Sequence, residues 1–208
     1  MIALIAYGVG NLASVAKALE SVGGAVRLVT EPGMADGCSG VLLPGVGNFG
    51  DGMKNLDRHG WTDFLRRYIS RDLPFLGICL GMQMLFDSSE EAPGVQGLGI
   101  VPGAVKLFPP GPGKVPHMGW NSMHVATPAP RGLAAVAGAD EFFYFVHSFY
   151  VAPSDPSWIG GVTEYNGVAF AAAVARGNLT ATQFHPEKSQ KPGLAILCSF
   201  VELCDETR

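Results

Sequence analysis

Pro74-Phe75-Leu76-Gly77-Ile78-Cys79-Leu80-Gly81-Met82-Gln83-Met84-Leu85-Phe86 is the stretch on which the reading of this chain turns. The apolar run up to Ile78 reads as a fully buried strand, and Leu80 to Phe86 predicts a helix. Between them stands a cysteine bracketed by Gly77 and Gly81. Gly-x-Cys-x-Gly at a strand-to-helix junction is the thiol form of a nucleophile elbow, a sharp turn that lifts one reactive side chain above a sheet. The glycines remove side chains that would collide as strand and helix approach. A cysteine at a helix N-terminus also meets the positive end of the helix dipole and free N–H groups, which favour thiolate over thiol. A buried packing cysteine at a strand end is the competing reading, and the motif alone does not decide.

Outward from this stretch, Ile2 to Ala6 reads as a strand, and Asn11 as the N-cap of a helix carrying Leu12, Val15, Ala16, Leu19 and Val22. Ala25 to Val29 is the second strand. Strand, helix and strand within about thirty residues form a βαβ unit, and hence a parallel sheet. Gly40 to Leu43 is a further strand, and Asp51 to Gly60 and Trp61 to Arg71 read as helices leading into the Cys79 strand. Downstream come short strands broken by Gly and Pro from 98 to 125, then strands at 142–146, 158–165, 168–176 and 179–184, and a closing helix from about Gly193 to Leu203. The Ala/Pro/Gly-rich residues 126–139 yield no functional reading. The expectation is a single α/β domain over residues 1–208, with a mostly parallel central sheet flanked by helices and an antiparallel, strand-rich extension.

Two loops imitate a dinucleotide fingerprint: Gly8-x-Gly10-x-x-Ala13, with Glu31 after the next strand, and Gly45-x-Gly47-x-x-Gly50. That two unrelated loops fit one loose pattern shows how little it discriminates, and no cofactor is expected. The second loop, Pro44 to Gly50, follows a parallel strand and has N–H groups uncommitted to a ladder. It suits an oxyanion site; an ordinary β-to-α connection is the alternative.

The 208 residues are 48% hydrophobic and 15% charged, enough for a large core and a hint of a buried partner surface. A net charge of −4 without a Lys/Arg cluster argues against nucleic acid. With no secretion signal and no membrane-length apolar run, a cytoplasmic protein is expected. Cys38, Cys79, Cys198 and Cys204 fit neither a zinc ribbon nor a redox pair, so no metal is expected and the thiols should be free.

A nucleophilic cysteine needs a histidine to manage its proton. Among His59, His117, His124, His147 and His185, the last stands out. It ends an apolar strand, and Glu187 lies two residues on, across Pro186. Residues i and i+2 of extended chain project to one side, so Glu187 can orient one ring nitrogen while the other faces Cys79. A chance His and Glu in a surface turn is the competing reading. His59 and His124 read as solvated. His147 either lines the pocket or caps a strand. Around Trp120, in His117-Met118-Gly119-Trp120-Asn121, core packing is the default and a partner surface the alternative.

Together these pieces resemble the triad (class I) glutamine amidotransferases. YGVGN (7–11), PGVGNFGDGM (44–53), LGICLGMQMLF (76–86) with SSEE (88–91), KVPHMGWN (114–121), YFVHSFY (144–150) and QFHPEKS (183–189) occur in that order. Within the family they are similar to the glutaminase subunits of imidazole glycerol phosphate synthases. Ala6 departs from the Asp that such chains often carry before YG. The resemblance implies a Cys79-His185-Glu187 triad hydrolysing L-glutamine to glutamate and ammonia. It implies oxyanion donors at the Leu80 and Val46 N–H groups, and substrate contacts from Gly47, Gln83, Glu91, His147 and Ser148. It also implies a heterodimer with a cyclase subunit, met through Asn11, Trp120 and Lys188, that uses the ammonia in histidine biosynthesis. No part of the chain resembles a (βα)₈ barrel, so the ammonia acceptor belongs to another chain. Two alternatives stand beside this: another ammonia-using synthase, such as that for anthranilate or pyridoxal phosphate, or a redox or regulatory role for Cys79.

Overall fold

In the N-terminal third the apolar runs Ile2–Ile5, Gly40–Leu43 and Phe75–Ile78 are buried on both faces, because helices cover both sides of a parallel sheet, while the edge run Val26–Val29 is partly open. In the computed structural model, which describes residues 1–138 and 141–207, the chain begins β1 (Ile2–Ile5), α1 (Leu12–Ser21), β2 (Val26–Val29), β3 (Gly40–Leu43), α2 (Phe49–Arg58), α3 (Trp61–Ser70) and β4 (Phe75–Ile78). The elbow turn α4 (Leu80–Gln83) and β5 (Ser88–Ser89) follow. Then come β6 (Gly103–Leu107), β7 (His117–Val125), β8 (Glu141–His147), β9 (Phe149–Pro153), β10 (Ile159–Tyr165), β11 (Val168–Arg176), β12 (Leu179–Thr182) and α5 (Gln190–Glu206).

One sheet runs β2-β1-β3-β4-β12-β11-β10-β7-β8. From β2 to β12 every neighbour is parallel, and from β12 to β8 every neighbour is antiparallel. β9 joins β6 to β11, and β5 pairs with β6. This is the expected α/β class, a helix-flanked parallel sheet continued by antiparallel strands.

Alternation along each parallel strand sorts the core. Ile2, Leu4, Leu42, Leu76 and Ile78 pack with Val15 and Leu19 of α1 and Leu197 and Phe200 of α5. Ala3, Ile5, Val41, Leu43 and Phe75 face the other way, onto Phe49, Leu56, Trp61 and Leu65 of α2 and α3. Asn11 caps α1 by accepting from the Ser14 N–H. α2 begins earlier than expected, because Asn48 accepts from the Gly50 and Asp51 N–H groups. α5 is longer than expected at both ends. Within 126–139, Arg131–Val136 forms a 3₁₀ turn whose Leu133 and Val136 are buried in the antiparallel core; Ala139 lies outside the described residues. β9 has no counterpart in the sequence reading.

Candidate active site

The turn after β4 holds Cys79 from two directions. Its N–H donates to the Thr182 carbonyl at 2.7 Å, so the ladder between β4 and β12 runs into the cysteine's own peptide. Its backbone sits at φ +53° and ψ −109°, a strained region for a residue with a side chain. The flanking glycines are required by contact. A Cβ on Gly81 would drive into the Leu43 carbonyl, and one on Gly77 would meet the Ala181 Cβ at 3.0 Å.

The helix beyond is a single turn, Leu80–Gln83, where the sequence predicts one running to Phe86. The Met84, Leu85 and Phe86 carbonyls accept from N–H groups of Leu98, Gly99, Ile100 and Val101, so a following loop takes the bonds that more helix would need. One turn carries little dipole, which leaves His185 as the charge partner for the sulfur.

His185 follows β12 as Cys79 follows β4. These strands are parallel neighbours, with Thr182 opposite Ile78, so both side chains emerge at one end of the sheet. The His185 Nδ1–H donates to Glu187 Oε1 at 2.8 Å, and both side chains are almost wholly buried. Burial works against a charged ring here, but contact with the Cys79 sulfur and the Glu187 carboxylate outweighs it and raises the imidazole pKa to about 9. Ser189 Oγ donates to the His185 carbonyl and accepts from the Tyr144 N–H, while the His185 N–H donates to the Tyr144 carbonyl. The loop bearing His185 is thus tied to β8.

A cavity of about 410 Å³ opens over Cys79 and His185, lined also by Val46, Gly47, Leu80, Gln83, Glu91, His147, Ser148 and Lys188, together with Pro116, Val146 and Phe149. Glu187 stands behind His185, outside the lining. Glu91 Oε2 accepts from the Phe49 N–H at 2.7 Å, which fixes the carboxylate at the rim. Asn11 and Trp120 do not line the cavity. Asn11 is exposed at the β1–α1 turn. Trp120 is 47% exposed, contrary to the default of core packing, and lies on one face of β7 and β8 with exposed Met118 and Phe142. Lys188 reaches this face, with Nζ 5.7 Å from the Tyr144 ring.

His117 and His147 form a buried pair whose tautomers follow from a single acceptor. The Phe149 carbonyl can only accept, so His147 Nδ1 is protonated and donates to it at 2.7 Å. His147 Nε2 therefore accepts from His117 Nδ1 at 3.0 Å, and His117 Nε2 accepts from Asn121 Nδ2 at 3.3 Å. Burial lowers both imidazoles, His117 to about 4 and His147 to about 3, so both are neutral near pH 7. His59 and His124 are exposed, as read from the sequence. None of the four cysteines is in a disulfide among the described residues; Cys204 packs beneath Gly40 and Cys198 is half-buried. Among the described residues no helix is long and apolar enough to cross a membrane.

The reading of the residues passed over Gln183, Ser189 and the His117–His147 pair. Gln183 carries one signal: a fully buried amide in an apolar run, two residues ahead of His185 and so projecting alongside it.

The family model described as "Glutamine amidotransferase class-I" matches residues 4–203. The chain is 48% identical over 202 residues to "Imidazole glycerol phosphate synthase subunit HisH" of Moorella thermoacetica, covering 97% of this chain and 94% of that one. It is 45% identical over 204 residues to the protein of the same name from Methanothermobacter thermautotrophicus, covering 98% of each. Among solved structures it is similar to a "glutamine amidotransferase" at TM-score 0.76 and 19% identity, covering 98% of both chains. A second, "Structure of PurLQS from Thermotoga maritima", matches at TM-score 0.76 and 20% identity over 97% of both chains.

Proposed function

The chain belongs to the class I glutamine amidotransferase family, and on that premise we propose that it is the glutaminase subunit of an imidazole glycerol phosphate synthase. Cys79 attacks the side-chain amide carbon of L-glutamine. His185, charged beside Glu187, gives its proton to the departing ammonia. Water, activated by the same imidazole, then hydrolyses the glutamyl thioester to glutamate. The Leu80 and Val46 N–H groups receive the oxyanion. A donor of this kind is worth on the order of 3 kcal/mol in the transition state.

The observation that carries this reading is the convergence of Cys79 and His185 at the ends of two parallel neighbouring strands, with Glu187 Oε1 2.8 Å from Nδ1. Glu91, held at the rim, offers a carboxylate to the substrate's ammonium, and Gly47, His147 and Ser148 complete the walls. Both N–H groups of Gln83 are engaged within the protein, so it has its oxygen to offer the substrate.

Ammonia passes to a partner cyclase, which makes imidazole glycerol phosphate and aminoimidazole carboxamide ribotide in the cytoplasm. The exposed apolar face of Met118, Trp120 and Phe142, bordered by Lys188, is the surface offered to that partner, with Asn11 at a second point of contact. The test is glutamine hydrolysis by this chain alone, with the cognate cyclase, and with the cyclase and its ligand. Negligible turnover alone and strong stimulation by the liganded cyclase are expected. Turnover by the single chain at the rate of the full complex overturns the proposal.

A further inference from the structure

Beside the Cys79 sulfur lies a second buried polar group. Gln183 is fully buried, and its Nε2 stands 3.6 Å from Cys79 Sγ. Gln83 Nε2 lies 3.0 Å from Gln183 Oε1 and 3.1 Å from the Phe149 carbonyl. These contacts leave no freedom in which end of either amide faces which neighbour. The Phe149 oxygen can only accept, so Gln83 must turn its NH₂ group toward it. The second N–H of that group then points at Gln183, which must present its oxygen. The Gln183 NH₂ is left facing the sulfur. An amide at this depth is costly to bury unless its bonds are made, and here three acceptors in a row fix where its hydrogens go.

We propose that Gln183 is a positioning residue for the nucleophile: its N–H group, held toward Sγ by Gln83 and the Phe149 carbonyl, donates to the sulfur and stabilises the thiolate. A donor aimed at an anion stabilises the charged form over the neutral one. It also limits the sulfur's rotation about the Cα–Cβ bond, keeping it toward the cavity shared with His185. His185 supplies the opposite charge, and Gln183 supplies the fixed dipole that the single turn of α4 is too short to give. Gln183 does not line the cavity, and in its absence the Phe149 carbonyl still holds the Gln83 NH₂ group and so turns the Gln83 oxygen toward the substrate. This inference rests on Cys79 being the nucleophile proposed above.

The test compares Gln183→Met, nearly isosteric without an N–H, and Gln183→Glu, which sets an oxygen against the sulfur. Iodoacetamide alkylation of the Cys79 peptide is followed by mass mapping in the full chain, and glutaminase kcat and KM are measured in the complex with the cyclase. Alkylation of Cys79 and kcat are expected to fall roughly 10- to 100-fold in Gln183→Met, the span of one hydrogen bond to a charged atom, with KM unchanged. Gln183→Glu should fall further. Gln83→Glu, which forces the Gln183 amide to turn over, should slow alkylation as well. Should Gln183→Met fail to fold, the Glu variants decide. Wild-type alkylation and kcat in folded Gln183 variants overturn the inference while Cys79→Ser remains inert. Persisting glutaminase activity in Cys79→Ser removes the underlying site reading instead.

Discussion

β4 and β8 are both apolar strands that end on a chemically capable side chain, Cys79 and His147, yet they are built on opposite plans. β4 lies inside the parallel half of the sheet, and all four of its residues are buried. β8 is the outer strand of the antiparallel half. It alternates buried Phe143, Phe145 and His147 with residues left partly or fully open, Phe142 at 54% exposure among them. A strand packed on both faces holds its terminal residue rigidly, which suits a strained nucleophile. A strand packed on one face leaves the other free to meet a second chain. The two plans touch at His185: it follows β12, yet its peptide is hydrogen-bonded to Tyr144 of β8. A partner pressing on the open face of β8 would act one hydrogen bond away from the proposed catalytic base.

If the parallel half carries the chemistry, its variants should abolish turnover while leaving partner binding intact. Cys79→Ser in the complex is expected to lower kcat by at least about 10⁴-fold, with an unchanged Kd for the cyclase by calorimetry. A variant that loses both together would break the division.

Glu187→Gln comes next, with kcat expected about 1,000-fold lower because the imidazole loses its orienting carboxylate. The His185 pKa, raised to about 9, should fall, drawing the alkaline limit of the pH–rate profile downward. Stability carries the same signature. The raised value exceeds the ordinary 6.5, so the stabilisation is complete below pH 6.5 and drains away as pH rises through about 9. Denaturant midpoints across that window should slope less in Glu187→Gln than in the wild type.

The same contrast governs what could be read before the structure. GVLL and PFLGI, buried on both faces, announce themselves as continuous apolar runs, and the parallel half follows from them. β9 was invisible because Phe149–Pro153 continues the aromatic run of β8, and only the turn at Ser148 parts them. The truncated elbow helix was equally hidden, since its competing N–H groups come from residues 98–101, beyond any helical window. Cys79, His185 and Glu187 could be singled out as candidates because the elbow and the i, i+2 pairing are matters of local spacing, and the fold brings them to one end of the sheet. Gln183 could not be, since its orientation is fixed by Gln83, a hundred residues away. Only the resemblance placed Trp120 at a partner surface; from the residues alone it defaults to core, because a large ring in an apolar strand is usually core and nothing local reveals that the outer face of β7 is uncovered.

On the antiparallel side, Trp120→Ala should weaken cyclase binding by about 2 kcal/mol, roughly 30-fold in Kd. Iodoacetamide should still reach Cys79 in the isolated chain at the wild-type rate. A slowed alkylation rate would mean that this face supports the nucleophile even without a partner, and the contrast between the halves would be less sharp than drawn.

The smallest expected effect probes the buried face of the same strands. His117 stacks between Phe145 and Tyr165, at centroid distances of 4.8 and 3.9 Å, so His117→Phe keeps the ring and removes the nitrogens. His147 Nε2 then loses its donor, at a cost of about 1 kcal/mol near neutral pH. Acid should narrow the difference. His117 and His147 are held neutral in the fold, at about 4 and about 3 against 6.5 when unfolded, so the unfolded chain takes up protons first as pH falls. Their contribution to stability is complete above pH 6.5 and lost progressively below it. With one of the two groups gone, the variant's loss should be shallower, and its denaturant midpoint should approach the wild type's as pH falls toward 4. Parallel curves would mean that this pair does not set the acid limit of the antiparallel half.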